Sequence, residues 1–149
     1  LAITYPARAV EVGTNAVKVL PERNLKHADA WEAGLAVDQG AIMKWGNNFY
    51  MAEAAGTTGT NAPVFRSGTE TNGTVVLRYI ERGPRRGFVV QLHDAGPVWV
   101  RAYRAPGQDD AFKLSGALAH WSEGGGSCPQ GAIWVRSESG TNTVTGSEW

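Results

Sequence analysis

Apolar and polar side chains alternate early in the chain. Ala9–Val12 and Ala16–Leu20 follow the period of two that half-buried strands show, and Gly13-Thr14-Asn15 supplies the turn between them. Pro21-Glu22-Arg23-Asn24 then reads as a turn. The same kind of pattern resumes after Arg82-Gly83-Pro84-Arg85-Arg86-Gly87, which leads into FVVQLHDAGPVWVRAY. That run reads as a β-hairpin turning at Asp94-Ala95-Gly96-Pro97. Val98, Val100 and Ala102 lie on one face of its second strand, and Trp99, Arg101 and Tyr103 on the other. Phe112–Leu114, Leu118–Trp121, Ala132–Arg136 and Thr143–Thr145 are further short strands. Glycine-rich loops separate them, as in a sandwich or barrel.

Between the two halves of this pattern lies Trp31–Glu81, with strands and turns of its own. Ala41–Trp45 and Phe49–Ala52 flank the hairpin turn Gly46-Asn47-Asn48. Asn72-Gly73 is a turn signal before the closing strand Thr74–Ile80. Lys26–Gly34 is the one helix-like stretch, and its shortness predicts at most one turn. The expected architecture is all-β: a small antiparallel β-sandwich or barrel built from residues 1–26 and 82–149. A small β-module, residues 27–81, is inserted in its first long connection. Residues 1–8 read as an extended arm, because Pro6 blocks helix and holds Tyr5 toward extended geometry.

Composition narrows the function classes. The chain has 149 residues, so two cores of this size would each be marginal and oligomerisation is an expected remedy. Its 14 basic and 14 acidic residues cancel, which argues against a nucleic-acid partner held by counterion release and against a polybasic membrane anchor. No apolar run approaches a membrane span. A single cysteine, Cys128, excludes an internal disulfide and fits folding in a reducing cytoplasm. LAITYPARAV lacks the basic and apolar regions of a signal peptide.

Catalytic groupings are weak. Asp109-Asp110 with Glu123 could be read as paired carboxylates, but adjacent aspartates in a loop are ordinarily solvated. His27, His93 and His120 have no ligand-like spacing; a zinc site from His120 and Cys128 would need distant partners, and single surface or turn histidines explain them better. Gly124-Gly125-Gly126 lacks the lysine and helix of a phosphate loop, and Ser127-Cys128 lacks a nucleophile elbow. The expectation is a non-enzyme with no catalytic residue, cofactor or metal.

The aromatic and basic residues are the better candidates. Trp45, Phe49 and Tyr50 could stack on a sugar or form the interior of the inserted module. Trp99 and Tyr103, sharing a strand face, are candidates for a subunit interface. Trp149 at the chain end suggests docking. Arg82, Arg85 and Arg86 form a local basic cluster, read either as a solvated turn or as a contact to an acidic partner.

Several of these elements occur in one order: Val19-Leu20-Pro21, Arg85-Arg86, Gly96-Pro97-Val98-Trp99-Val100, Gly131-Ala132-Ile133-Trp134 and Ser139-Gly140-Thr141. This order resembles small virion structural proteins of tailed bacteriophages, with the Leu-Pro and the arginine turn split by the insert. The insert, through Val37-Asp38-Gln39-Gly40, Phe49-Tyr50, Gly56–Pro63 and Asn72-Gly73-Thr74-Val75, is similar to phage-associated modules and to small carbohydrate-binding modules of chitinases. The resemblance implies a capsid decoration (cement) protein on the outer surface of the virion head, made in the host cytoplasm. Its partners would be the major capsid protein and copies of itself, as a trimer or dimer. Leu1, Ile3 and Tyr5 of the arm would be a strand donor, and Arg82, Arg85 and Arg86 would meet an acidic capsid patch. The alternative is a tail- or fibre-associated protein that binds a receptor or a surface glycan.

Overall fold

The computed structural model describes residues 8–23, 25, 28–81, 83–103, 111–124 and 128–149. The described residues form fifteen strands and no helix. In order they are β1 (Arg8–Val12), β2 (Val17–Leu20), β3 (Asp29–Ala30), β4 (Ala36–Val37), β5 (Ile42–Trp45), β6 (Asn48–Ala52), β7 (Gly56–Thr57) and β8 (Thr69–Asn72). They continue with β9 (Val75–Ile80), β10 (Gly87–Leu92), β11 (Val98–Ala102), β12 (Phe112–Leu114), β13 (His120–Gly124), β14 (Ile133–Ser137) and β15 (Asn142–Glu148). The helix-like stretch is instead extended at Asp29–Ala30, which pairs parallel with Met43 and Lys44. Lys26 and His27 lie outside the described residues. The chain divides into two compact units, Leu1–Arg23 with Pro84–Trp149, and Asn24–Gly83.

The discontinuous unit is a β-sandwich of two four-stranded sheets. Sheet I has the order β1-β15-β10-β13 and sheet II the order β12-β11-β14-β2. Its eight strands pair from the outside inward: first with last (β1·β15), second with seventh (β2·β14), third with sixth (β10·β13), fourth with fifth (β11·β12). This nested closure is the wrap of a jelly roll. One expectation is corrected here. FVVQLHDAGPVWVR is not a hairpin, because β10 belongs to sheet I and β11 to sheet II. Strict alternation is the same in both cases. Phe88, Val90 and Leu92 face Val98, Val100, Ile133 and Val135 across the sandwich, in one core with Val12, Leu20 and Val144.

Side chains tie the connections that cross between sheets at one end of the sandwich. Thr143 N donates to Asp94 Oδ2 (2.6 Å) and Gly96 N to Asn142 Oδ1 (3.1 Å). Asn142 Nδ2 donates to Ser137 Oγ (3.0 Å), and that hydroxyl donates to Val12 O (2.5 Å). Asn142 and Ser137 are buried and Asp94 is exposed; together they satisfy backbone groups at the sheet crossings.

The second unit has a five-stranded sheet, β3-β5-β6-β9-β8, and the pair β4·β7. Its core is Trp31, Met43, Tyr50, Ala52, Val75 and Leu77. Asn72 anchors the adjoining loop: its Oδ1 accepts from Gly59 N (2.9 Å) and Trp31 Nε1 (3.2 Å), and its Nδ2 donates to Asn61 O (2.8 Å). Gly73, at φ 67°, lets that loop pass backbone to backbone, since a Cβ there would fall 2.6 Å from Gly59 N.

Candidate interaction surface

The tripeptide Trp-Val-Arg occurs twice, as Trp99–Arg101 and Trp134–Arg136. In each case the valine enters the core and the tryptophan and arginine take the outward face of sheet II. Because β11 and β14 run antiparallel, Trp99 sits opposite Arg136 and Arg101 opposite Trp134. The outer strands extend each rung. Lys113 of β12 is opposite Trp99, and Lys18 of β2 is opposite Trp134. The result is two rungs of cation, indole and cation, related by the local two-fold symmetry of an antiparallel pair. Lys113 Nζ lies 5.3 Å from the Trp99 ring centroid and the Arg136 guanidinium 6.0 Å from it, while Lys18 Nζ lies 5.3 Å from the Trp134 ring. A glutamate accompanies each lysine: Glu138 at 3.4 Å from Lys113 and Glu22 at 3.0 Å from Lys18. Neither Trp99 Nε1 nor Trp134 Nε1 has an acceptor among the described residues.

The outward face of sheet I has a different chemistry. Thr143, Thr145, Gln91, Ser122 and His120 occupy it, with His93 Nε2 bonded to Thr145 Oγ1 at 2.9 Å. Glu11, opposite Thr143, adds one carboxylate to that face, and sheet II is the one with indoles and clustered cations. Trp99 was among the residues expected at an interface. Trp134, Lys113, Arg136, Arg101 and Lys18 were not, although the repeated Trp-Val-Arg carried the signal.

Other expected site residues fall elsewhere. Leu1, Ile3, Tyr5 and Arg82 lie outside the described residues. Arg85 is corrected from a surface contact to a buried one, its side chain fully enclosed. Its Nε donates to Glu148 Oε2 (2.6 Å), Nη1 to Pro129 O (2.7 Å) and Gly131 O (2.9 Å), and Nη2 to Pro21 O (2.5 Å). A guanidinium is removed from water only with such a full set of acceptors. Arg86 is exposed at its side chain, and its N donates to Trp149 O (2.7 Å). Trp149 docks within its own unit: the indole covers Gly87 so closely that a Cβ there would overlap the ring. Tyr103 does not continue the Trp99 face. It follows β11 at φ 75°, 68% exposed, with its ring against Gly131.

The aromatics of the insert do not form a strip. Tyr50 is fully buried, packed on Phe65 (4.8 Å between centroids) and Tyr79 (5.9 Å), and its hydroxyl donates to Phe65 O (2.8 Å). That corrects its reading as a ligand contact. Burial pushes its phenol above the ordinary range. Phe49 is adjacent in the strand and so takes the opposite face, with Lys44 Nζ 5.7 Å from its ring. Trp45 alone of the three is open, 45% exposed and packed edge-on against Trp31 at 5.5 Å.

Among the groups weighed for catalysis, Asp109, Asp110, His27 and Gly125–Ser127 lie outside the described residues. Glu123 Oε1 accepts from Trp121 Nε1 (3.2 Å). Cys128 is buried, and burial pushes its thiol up against the opposing influence of Arg85. Among the described residues no group of three or more His, Cys, Asp or Glu could hold a metal, and no helix is long and apolar enough to cross a membrane. No protein-family model matches the chain, and no curated protein matches it in sequence.

Proposed function

We propose that this chain is a virion structural protein: a capsid decoration protein that binds the outside of a tailed-phage head at subunit junctions and stabilises it. The observation that carries the reading is the Trp99 rung on the outward face of sheet II. A partly exposed indole held between Lys113 and Arg136 on a strand has the composition of an interface centre, where tryptophan and arginine are enriched. Strand positions lose little order on binding, so such a face costs less to immobilise than a loop. Jelly rolls recur in viral capsid and lectin domains; this is a fold-level analogy and adds weight only in that sense. As a trimer or dimer, the protein would engage several capsid subunits at once, and avidity would convert modest contacts into lasting attachment.

A second reading, a tail- or fibre-associated receptor-binding protein, draws on Trp45. Its exposed indole, braced by Trp31, could stack on a sugar ring. Cosedimentation of the purified protein with mature capsids lacking it tests the first reading. Saturable binding in copy numbers set by icosahedral symmetry supports decoration. No binding, with retention on a glycan array that Trp45→Ala abolishes, favours the second.

A further inference from the structure

The buried polar cluster around Arg85 lies at the end of the sandwich where the chain leaves for residues 24–83 and returns. Gln130 holds both ends. Its backbone carbonyl accepts from Arg23 N (2.8 Å), its Oε1 accepts from Arg85 N (2.6 Å), and its Nε2 donates to Arg85 O (2.8 Å) and Cys128 O (2.9 Å). Glu148 holds both side chains, with Oε2 at 2.6 Å from Arg85 Nε and Oε1 at 3.3 Å from Arg23 Nη2. Arg85 Nη2 also reaches back to Pro21 O, immediately after β2, at 2.5 Å. One glutamine and one glutamate therefore fasten the outgoing and returning segments to each other and to the final strand.

We infer that this clip makes the insertion point a closed graft site: the jelly roll holds its fold whether or not residues 24–83 are folded. Three features of the cluster support it. Every acceptor that Arg85 uses belongs to the discontinuous unit, at Pro21, Pro129, Gly131 and Glu148. The carboxylate of Glu148 is fully buried, hydrogen-bonded to Arg85 through Oε2 and ion-paired with Arg23 through Oε1, so closing the unit with its two chain segments apart would leave that charge unbalanced. Closure also sets the ends of the long connection beside each other, which removes the loop-closure cost that a spanning module would otherwise have to offset. A scaffold of this kind can present an inserted module without depending on that module for stability.

The test uses the 149-residue chain labelled with 5-fluorotryptophan. Six tryptophans report separately by fluorine NMR, Trp31 and Trp45 from the insert and Trp99, Trp121, Trp134 and Trp149 from the jelly roll. Gly73→Val combined with Tyr50→Ala removes the close backbone approach and the central ring of the insert. The inference predicts that the Trp31 and Trp45 resonances collapse to the unfolded position while the other four keep their native dispersion. Collapse of all six overturns it. Glu148→Ala supplies the converse: the four jelly-roll resonances should lose dispersion at temperatures where the native chain keeps it. Four unchanged resonances in that variant would overturn the role of the clip.

Discussion

Arg85 and Glu148 are 63 positions apart in sequence and joined at 2.6 Å, with both side chains fully buried. Breaking such a pair from one side leaves a charge without water or partner. Arg85→Ala or Glu148→Ala is expected to destabilise the jelly roll by about 3–5 kcal/mol, read as a lower urea midpoint from fluorine signals of Trp121 and Trp149. Arg85→Met with Glu148→Leu should recover little of that loss, because Arg23 loses the same carboxylate and the carbonyls of Pro21, Pro129 and Gly131 lose their donor.

Trp149 and Gly87 make a second coupled pair. Gly87→Ala would push a methyl into the indole, an overpacking expected to cost about 1–3 kcal/mol. With Trp149→Ala already present, the same substitution should cost less, because the obstructing ring is gone. A double-mutant cycle by urea unfolding checks this non-additivity.

Sequence periodicity made the strands, the turns and the all-β class legible, because alternation and Gly/Asn punctuation are local properties. It could not say which sheet a strand joins. Val98 and Val100 look the same whether they share a sheet with Phe88 and Val90 or face them across a core. Arg85 was misread because an arginine in a Gly-Pro turn is ordinarily solvated. A signal was available in β15, where the parity of Val144 and Gly146 places Glu148 on the core side, and a carboxylate there needs a cation. Tyr50 was weighed as ligand contact or interior, and parity with Ala52 puts it inside. Tyr103 leaves the strand pattern through a left-handed backbone conformation that alternation cannot foresee.

Tyr50 gives the insert a pH dependence. Its folded phenol ionises above its ordinary value because it is buried, so in alkali the unfolded chain loses its proton first. The resulting stability is intact below about pH 10 and falls as pH rises beyond it. Tyr50→Phe should flatten that alkaline fall while costing about 0.5–1.5 kcal/mol at neutral pH for the lost bond to Phe65 O. Urea midpoints of the Trp31 and Trp45 signals between neutral and strongly alkaline pH measure both effects; an unchanged alkaline slope would contradict the assignment.

Cys128 is expected to be a slow thiol. Burial limits access and raises its pKa, and only the thiolate attacks. Reaction with an aromatic disulfide reagent at mildly alkaline pH should be severalfold slower in the native protein than in urea, and should accelerate in Glu148→Ala as the clip opens.

The most direct test of the proposed function is electron cryomicroscopy of mature phage heads incubated with the protein, native and Trp99→Ala. Decoration predicts added density on the outer shell at subunit junctions, with the sheet carrying Trp99 and Trp134 turned toward the capsid, and strongly reduced occupancy for the variant. Bare heads, or density confined to the tail, would contradict it.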